Sequence, residues 1–408
     1  STRKYVPVPL NEFCKNRIRK LEESGKWLQE HMPTEKAYVE GYITIEGAEN
    51  ILNKIKNLLS QVDQRVYISC TRNYLLLLIR ELDTLMEERK KVVIITDQPA
   101  TFHNAKVYFG ENQLSHLGEE LSRYGKRVLL TYGGGSIKKT GLYDAVVSEI
   151  KKAGLEFYEL SGIAPNPRIE SVREGVEICK RENIDVLLAV GGGSTLDATK
   201  WMAAGACVEH DPWEFFSQWA PVEKALPVLT VPTLAATGSE MDAGGVISNP
   251  ETQDKIGRVA KPLLPKVSFL DPTNTYTVSP YQTACGAADM MSHIMEVYFN
   301  METDLYMLDC FMEGMMKTII KYAPIAMKEP ENYEARANLM WTSSWAINGF
   351  THGGKQQEWS CHPMEHELSA IYDITHGLGL AILTPRWMEY CLDETTVSKY
   401  YQFGVNVF

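Results

Sequence analysis

The spacing of hydrophobic residues over residues 1–98 predicts a small α/β segment. Short apolar runs indicate buried strands, and apolar residues at helical spacing indicate amphipathic helices. The predicted elements are helices over 17–32, 51–59 and 75–86 and strands over 66–69 and 91–96. His31 is the only histidine of this segment, which has neither a glycine-rich loop nor a cysteine pair. We therefore expect no catalytic chemistry here.

From about residue 104 the pattern changes to strands that alternate with helices. Strand 127–132 precedes a Gly-Gly-Gly-Ser turn at 133–136, and strand 185–190 precedes a second such turn at 191–194. The remaining predicted elements are helices from about Tyr143 to Gly154 and from Pro167 onward, strands 156–160 and 227–231, and a loop of small residues over 233–239. This alternation predicts a parallel, doubly wound sheet whose ligands lie at the carboxyl ends of its strands.

After Asp271 the chain becomes almost wholly helical. Ser279, Pro280 and Gln282 form a capping-box signature for a helix that extends to about Phe299. Further helices are predicted over 306–322, 333–348 and 377–390. The predicted fold class is therefore α/β, with a Rossmann-like doubly wound parallel sheet followed by an all-helical domain. The predicted domains are the α/β segment 1–98, a sheet domain 99–279 and a helical domain 280–408.

Composition and charge narrow the class of protein. The 408 residues are 44% hydrophobic and 23% charged, which is typical of globular domains. Lys plus Arg total 41 against 52 Asp plus Glu, so the net charge of -11 disfavours nucleic acid as a partner. Eight cysteines without a C-x-x-C pair favour free thiols, and no apolar run approaches the roughly 20 residues of a membrane span. We predict a soluble, cytoplasmic protein without a membrane partner.

The two glycine turns are candidates for binding an anion. Glycines between a strand and a helix let the backbone approach a phosphate, and the helix N-terminus offers free N–H groups. A tight turn that needs glycine only for its dihedral angles has the same sequence, and neither turn matches the G-x-G-x-x-G fingerprint of dinucleotide sites. Two such turns in successive strand-helix units favour the phosphate interpretation.

A group of histidines and one carboxylate is the stronger signal. Asp289 and His293 are four residues apart on one predicted helix face, a spacing that serves one metal ion but more often a surface hydrogen bond. His362, His366 and His376 fall within one 15-residue window of a chain with 9 histidines. This clustering favours a site. Imidazoles with a carboxylate suit a divalent transition metal such as iron or zinc better than calcium or magnesium.

These motifs carry a resemblance to a known family. From about residue 104 to 408 the chain resembles the iron-dependent (group III) alcohol dehydrogenases, and looks closest to their NADPH-dependent butanol dehydrogenase branch. The segments that carry the resemblance are 107–110, 132–138, 189–194, 236–241, 286–293, and 362–369 together with the 376–377 that follows it. Six ordered motifs over roughly 300 residues are too specific to be chance.

The resemblance implies a role for each matching residue. Asp289, His293, His362 and His376 would bind Fe²⁺ or Zn²⁺, with His366 beside the nicotinamide and not a ligand. We count His366, Asp289 and His293 as catalytic. The predicted NADP(H)-binding residues are Gly133, Gly134, Gly135, Ser136, Gly191, Gly192, Gly193, Ser194, Asp197, Thr233, Thr237 and Lys255. A homodimer is the oligomeric state that the family resemblance implies.

The two ends of the chain depart from this family pattern. Family members usually continue beyond the position that matches Phe408, so we expect the helical domain to be truncated. Residues 1–98 have no counterpart in the family, and segments 41–51 and 66–69 resemble part of the sugar-sensing effector domain of TrmB-type transcriptional regulators. The chain therefore has the pattern of a fusion, natural or engineered.

The predicted activity is hydride transfer between NADPH and a small aldehyde or primary alcohol such as butanal or butanol. A polyol dehydrogenase or a dehydroquinate-synthase-like enzyme would share the fold, and a sugar-binding regulatory or interaction protein with a non-functional dehydrogenase portion is the alternative from another class. Ser136 is followed by Lys138 and Lys139, and the next acid is Asp144. Because NAD-specific sites commonly place a carboxylate near the adenosine ribose, this sequence predicts a preference for NADP(H).

Overall fold

The structure is a computed structural model that describes residues 48–63, 65–69, 77–88, 90–95, 101–102, 105–300, 305–351 and 359–408. The chain packs as two compact units, Ser1–Val62 and Asp63–Phe408. In the first unit the described element is helix α1, Ala48–Leu59, which confirms the helix expected over 51–59. The helix predicted over 17–32 and most of segment 41–51 lie outside the described residues.

The second unit begins with a pair of parallel strands. Strand β1, Arg65–Ser69, pairs in register with β2, Lys91–Ile95, and helix α2, Ile79–Glu87, lies between them in sequence. The buried face of this helix consists of leucines at helical spacing, Leu82 and Leu85, together with Leu78 just before its first residue. The two strands and the helix predicted in this region are confirmed, whereas the domain boundaries at 98 and 279 stay a prediction.

A seven-stranded sheet forms the centre of this unit. Its strands are Thr101–Phe102 (β3), Ala105–Phe109 (β4), Arg127–Tyr132 (β5), Glu156–Leu160 (β6), Val186–Gly191 (β7), Val228–Pro232 (β8) and Val267–Leu270 (β11). They lie in the order β3-β4-β11-β8-β7-β5-β6, and all neighbours are parallel except β3, which is antiparallel to β4. An antiparallel hairpin, β9 over Gly244–Asn249 and β10 over Asp254–Val259, precedes β11.

Helices cover both faces of this sheet, as the apolar runs predict. Successive residues of β5 enter opposite cores, because Leu129 packs in the core around Trp201 and Leu130 in the core around Phe269. The helices of this half are Leu117–Ser122 (α3), Ser136–Lys139 (α4), Leu142–Lys152 (α5), Ile169–Arg181 (α6), Gly193–Gly205 (α7) and Glu214–Ser217 (α8). The predicted doubly wound sheet is confirmed.

One predicted helix start is wrong. The helix expected from Pro167 begins at Ile169, because Arg168 is extended, with φ -89° and ψ 149°, and forms a parallel bridge to Ser248. The amide N–H of Ser248 donates to the carbonyl of Pro167 at 2.9 Å. Pro167 and Arg168, which the sequence pattern assigned to the first helical turn, thus pair with strand β9 of the hairpin.

The helical half begins where the sequence places it. The Ser279 hydroxyl accepts from the Gln282 amide N–H at 3.2 Å and caps the first long helix. The helices are Pro280–Tyr298 (α9), Tyr306–Lys328 (α10), Tyr333–Ile347 (α11), Cys361–Tyr372 (α12), His376–Cys391 (α13) and Val397–Val407 (α14). Helix α10 continues beyond the predicted end at 322 and contains Pro324, and α12 and α14 were not predicted. None of the described helices is long and apolar enough to span a bilayer.

Candidate active site

Helix α9 positions the predicted Asp and His pair. Asp289 and His293 are four residues apart, so they project from one face, and each is only 3% exposed. His293 Nε2 lies 3.5 Å from Asp289 Oδ1. The alternative of a surface hydrogen bond is excluded by this burial.

Helices α12 and α13 bring two further histidines to the same oxygen. The Nε2 atoms of His362 and His376 each lie 3.6 Å from Asp289 Oδ1. Gly377 makes the approach of α13 possible, because a Cβ there would clash with the carbonyl of Cys285 on α9. The four residues predicted as ligands are therefore adjacent: one carboxylate oxygen faces three imidazole nitrogens.

This imidazole cluster, Asp289, His293, His362 and His376, fits a divalent metal. Asp289 Oδ1 and His362 Nε2 are buried and have no hydrogen-bond partner, which is rare in a folded protein. A cation between them would give each atom a partner. Three nitrogens and one oxygen are the donor set that suits iron or zinc.

Two carboxylates that were not predicted from the sequence accept hydrogen bonds from the Nδ1 atoms of two of the imidazoles. Glu296 on α9 accepts from His362 Nδ1, and Glu365 on α12 accepts from His376 Nδ1. Hydrogen bonds of this kind fix the tautomer of a metal-binding histidine. Each glutamate bonds an imidazole on another helix, so no local spacing in the sequence identifies it.

The charges of the cluster also favour a doubly charged cation. With neutral imidazoles, as metal ligands are, the described part of this site has three buried carboxylates, those of Asp289, Glu296 and Glu365, and one ammonium, that of Lys255. Burying unbalanced charge is costly, so a divalent cation would neutralise the remainder.

The same surroundings shift the pKa values of the imidazoles in opposite directions. Burial lowers the pKa of His362, but the neighbouring carboxylates of Asp289 and Glu296 outweigh burial and raise that pKa to about 9. Burial lowers the pKa of His293 to about 3, only partly offset by Asp289. Burial opposes ionisation of Asp289, yet the neighbouring His293 and His376 hold its pKa well below the usual range. The carboxylate is therefore ionised and available as a ligand.

His366 lies beside the imidazole cluster, one helical turn beyond His362 on α12. Its ring centroid is 5.7 Å from that of His376 and 6.5 Å from that of His362. Burial and the nearby Lys255 ammonium lower the pKa of His366 well below its ordinary value. Its imidazole is thus neutral.

The second glycine turn is closely packed. Gly191 ends β7, Gly192 caps α7, and Gly193 and Ser194 form its first turn, where helix N–H groups have no intrahelical partner. A Cβ at Gly193 would clash with Thr237 Oγ1. The turn therefore brings the helix N-terminus against the loop after β8.

The residues around this turn have mixed roles. The amide N–H of Thr233 donates to the carbonyl of Gly191 at 3.0 Å, which places the threonine beside the turn. Asp197 accepts from Ser239 Oγ at 2.5 Å and from the Val246 amide N–H at 2.9 Å. Both carboxylate oxygens of Asp197 are thus bonded within the fold.

The first glycine turn is open. Gly133 follows β5, and a Cβ at Gly134 or Gly135 would meet no atom within 4 Å. Gly135 has φ +92° and precedes the short helix that begins at Ser136. Because β5 and β7 are neighbours, both glycine turns lie at the same carboxyl edge of the sheet.

Two lysines have partners that the sequence did not predict. Lys138 Nζ lies 3.9 Å from Glu159 Oε2 and over the rings of Tyr132 and Tyr143 at 5.0 and 4.5 Å. Lys255 Nζ donates to Glu365 Oε2 at 3.1 Å and lies 3.4 Å from His376 Nδ1. The ammonium of Lys255 therefore lies at the imidazole cluster and adds no positive charge to the first glycine turn.

Two family models match parts of the chain. The model of the iron-containing alcohol dehydrogenase family matches residues 104–272, and the model of the C-terminal region of that family matches 283–408. The chain is 52% identical over 302 residues to NADH-dependent butanol dehydrogenase A of Clostridium acetobutylicum, covering 74% of this chain and 78% of that protein. It is 40% identical over 306 residues to NADPH-dependent aldehyde reductase YqhD of Escherichia coli K12, with 74% and 78% covered.

A solved structure has the same arrangement of elements. The crystal structure of NADH-dependent butanol dehydrogenase A of Thermotoga maritima superposes with a TM-score of 0.73 at 44% identity, covering 76% of this chain and 78% of that one.

Proposed function

Since this chain belongs to the iron-containing alcohol dehydrogenase family, we propose that it interconverts a small primary alcohol such as butanol with its aldehyde, using NADP(H). The family membership makes it an oxidoreductase that uses a nicotinamide cofactor and iron. The observation that carries the proposal for the site is the imidazole cluster, in which three Nε2 atoms lie 3.5 to 3.6 Å from Asp289 Oδ1.

Each part of the proposed site has its own task. When bound, the divalent metal supplies a Lewis acid for the carbonyl oxygen, and NADPH supplies the hydride. Asp289, His293, His362 and His376 hold the metal. The N–H groups at the start of α7 bind the cofactor pyrophosphate, since a helix N-terminus favours anions. Thr233 and Thr237 line the cleft beside them.

His366 has a proton-transfer role in this proposal. Alcohol oxidation releases a hydride to the cofactor and a proton from the hydroxyl, and His366, whose ring centroid lies 5.7 Å from that of His376, would accept that proton. In aldehyde reduction the same imidazole, once protonated, returns a proton to the oxygen.

The proposed metal ligands and the proposed cofactor cleft are held together by a close contact between helix α9 and the loop after β8. Gly286 on α9 lies so near the loop after β8 that a Cβ there would clash with the carbonyl of Ala235. This contact holds the helix that carries Asp289 and His293 against the loop that carries Thr237. The proposed metal ligands and the proposed cofactor cleft are therefore neighbours, as hydride transfer requires.

The activity is tested by adding butanal and NADPH to purified protein that has been loaded with Fe²⁺ or Zn²⁺. We expect NADPH absorbance to fall, and the rate to drop to background after the metal is removed by a chelator and to return when metal is added back. NADPH consumption that is equally fast without metal, or no consumption with any small aldehyde, would contradict the proposal. As the family resemblance implies, we further propose a homodimer, which light scattering can measure.

A further inference from the structure

We propose that Glu365 is a positioning residue that orients His376 and Lys255 at the imidazole cluster. The inference rests on the proposed function, because it takes His376 as a metal ligand. It goes further in assigning a task to a residue that is not itself a ligand.

Within the described structure, the carboxylate of Glu365 makes its hydrogen bonds with side chains. It lies in the second turn of α12 and is completely buried. Its Oε2 accepts from His376 Nδ1 and from Lys255 Nζ, the latter at 3.1 Å, and its Oε1 accepts from Ser369 Oγ. Both carboxylate oxygens are thus occupied, and the carboxylate connects α12, α13 and strand β10.

The bond to His376 determines which imidazole nitrogen is free. A carboxylate only accepts hydrogen bonds, so His376 Nδ1 must carry the proton. His376 Nε2 then presents a lone pair, and this is the nitrogen that lies 3.6 Å from Asp289 Oδ1. The carboxylate therefore selects the tautomer that can bind metal.

The fold makes a dedicated space for this side chain. A Cβ at Gly379 on α13 would lie 2.7 Å from Glu365 Cγ and 2.9 Å from its Oε1. Only a residue without a side chain fits there, so α13 approaches α12 closely at the point where the carboxylate lies. A buried carboxylate is costly unless it is paired, and Lys255 and His376 supply its partners.

The second carboxylate, Glu296, has a different pattern of contacts. Besides His362 it accepts the backbone N–H groups of Ser360 and Cys361, at 2.6 and 2.7 Å, which begin α12. Removing its charge would disturb the start of a helix as well as an imidazole. In the described structure the Glu365 carboxylate accepts no hydrogen bond from a backbone N–H group. A substitution of Glu365 therefore tests the positioning of the ligand without disturbing the start of a helix.

The experiment compares Glu365→Gln with Glu367→Gln, an exposed glutamate two residues away on the same helix. Zinc affinity is measured by competition with a chromophoric chelator, and the Co²⁺-loaded forms are compared by visible absorption. We expect Glu365→Gln to bind zinc about 10- to 100-fold more weakly and to change the Co²⁺ spectrum, because an amide can donate to Nδ1 and favour the wrong tautomer. Glu367→Gln should match the wild type in both.

A second measurement needs no variant and so does not depend on folding. In ¹⁵N-histidine-labelled, zinc-loaded wild type, His376 should carry its proton on Nδ1. Wild-type zinc affinity and Co²⁺ spectrum in folded Glu365→Gln, or the opposite tautomer of His376, would overturn the inference while leaving the proposed function intact. A wild-type protein that binds neither zinc nor cobalt would overturn both.

Discussion

The proposed cofactor cleft and the proposed metal centre use different parts of the chain. In the cleft the contacts come from the backbone, at glycines 191–193 and the first turn of α7. In the metal centre they come from side chains, with three imidazoles around one carboxylate oxygen. The first arrangement depends on free space and backbone conformation, whereas the second depends on charge and hydrogen bonding.

This difference determines what each region tolerates. In the cleft an added side chain is destabilising because there is no space for it, as at Gly193 against Thr237. In the metal centre a substitution removes a charge or a ligand that the neighbouring side chains need, as at Asp289 and its three histidines. Substitutions in the two regions should therefore differ in what they change: folding and cofactor affinity in one, metal affinity and rate in the other.

The largest effect is expected from His293→Ala. Three remaining ligands hold a divalent ion less tightly, so bound metal and activity should be lost together. Metal content by elemental analysis and turnover of butanal check this, with the exposed His116→Ala as control. Full metal occupancy with unchanged turnover would show that His293 is not a ligand.

A smaller effect is expected from His366→Ala. If its imidazole exchanges a proton with the substrate, the rate should fall about 10²-fold while the metal is retained. The measurement is kcat at saturating butanal together with metal content. Loss of metal from this variant would mean that His366 is a ligand, and that the distinction between it and the imidazole cluster is wrong.

The glycines of the two turns provide the sharpest contrast within the cleft. Gly193→Ala should lower the free energy of unfolding by about 1 to 3 kcal/mol, because the added methyl clashes with Thr237, and should also weaken NADPH binding. Gly134→Ala places a methyl in open space, so any loss of NADPH affinity should come without loss of stability. Chemical denaturation and fluorescence titration measure the two quantities. Equal destabilisation by both variants would contradict the difference in packing.

The sheet was predictable because its central strands are buried on both sides. The run 186–190 is continuously apolar and ends at a glycine, so its pattern cannot be mistaken for a surface element. Likewise, Ser279 caps α9 through a local contact that the sequence contains in full. Arg168 was misassigned because its conformation depends on a distant strand, which no local signal reveals.

Helix α12 was not predicted for the reason that makes it functional. Its buried face consists of Cys361, His362, Glu365 and Ser369, which recur at helical spacing but are mostly polar. A search for hydrophobic periodicity passes over such a face, because the helix is held by hydrogen bonds to buried partners and not by apolar packing. The histidines were found by their clustering, whereas Glu296 and Glu365 were indistinguishable from surface glutamates until their partners were known.

The smallest expected effect concerns the open glycine turn and the choice between NADP(H) and NAD(H). Ser136 begins α4, and Lys138 and Lys139 follow it. Glu159 lies within ion-pair distance of Lys138, and it accepts from the hydroxyls of Tyr132 and Tyr143. The carboxylate of Glu159 is therefore occupied by two hydroxyl donors, and the Lys138 ammonium partly neutralises its charge. A phosphate near Ser136 would meet hydrogen-bond donors and not an unpaired carboxylate.

Replacing this serine tests that argument directly. In Ser136→Asp a carboxylate would repel the 2′-phosphate of NADPH and could accept from the 2′-hydroxyl of NADH. A charge-assisted hydrogen bond contributes about 1.5 to 3 kcal/mol, so the ratio of kcat/KM for NADPH over NADH should fall at least about tenfold. Ser136→Asn has a similar size without the charge and should shift the ratio less, which separates charge from bulk. A wild type that prefers NADH, or an Asp variant with an unchanged ratio, would mean that the open turn does not select the cofactor.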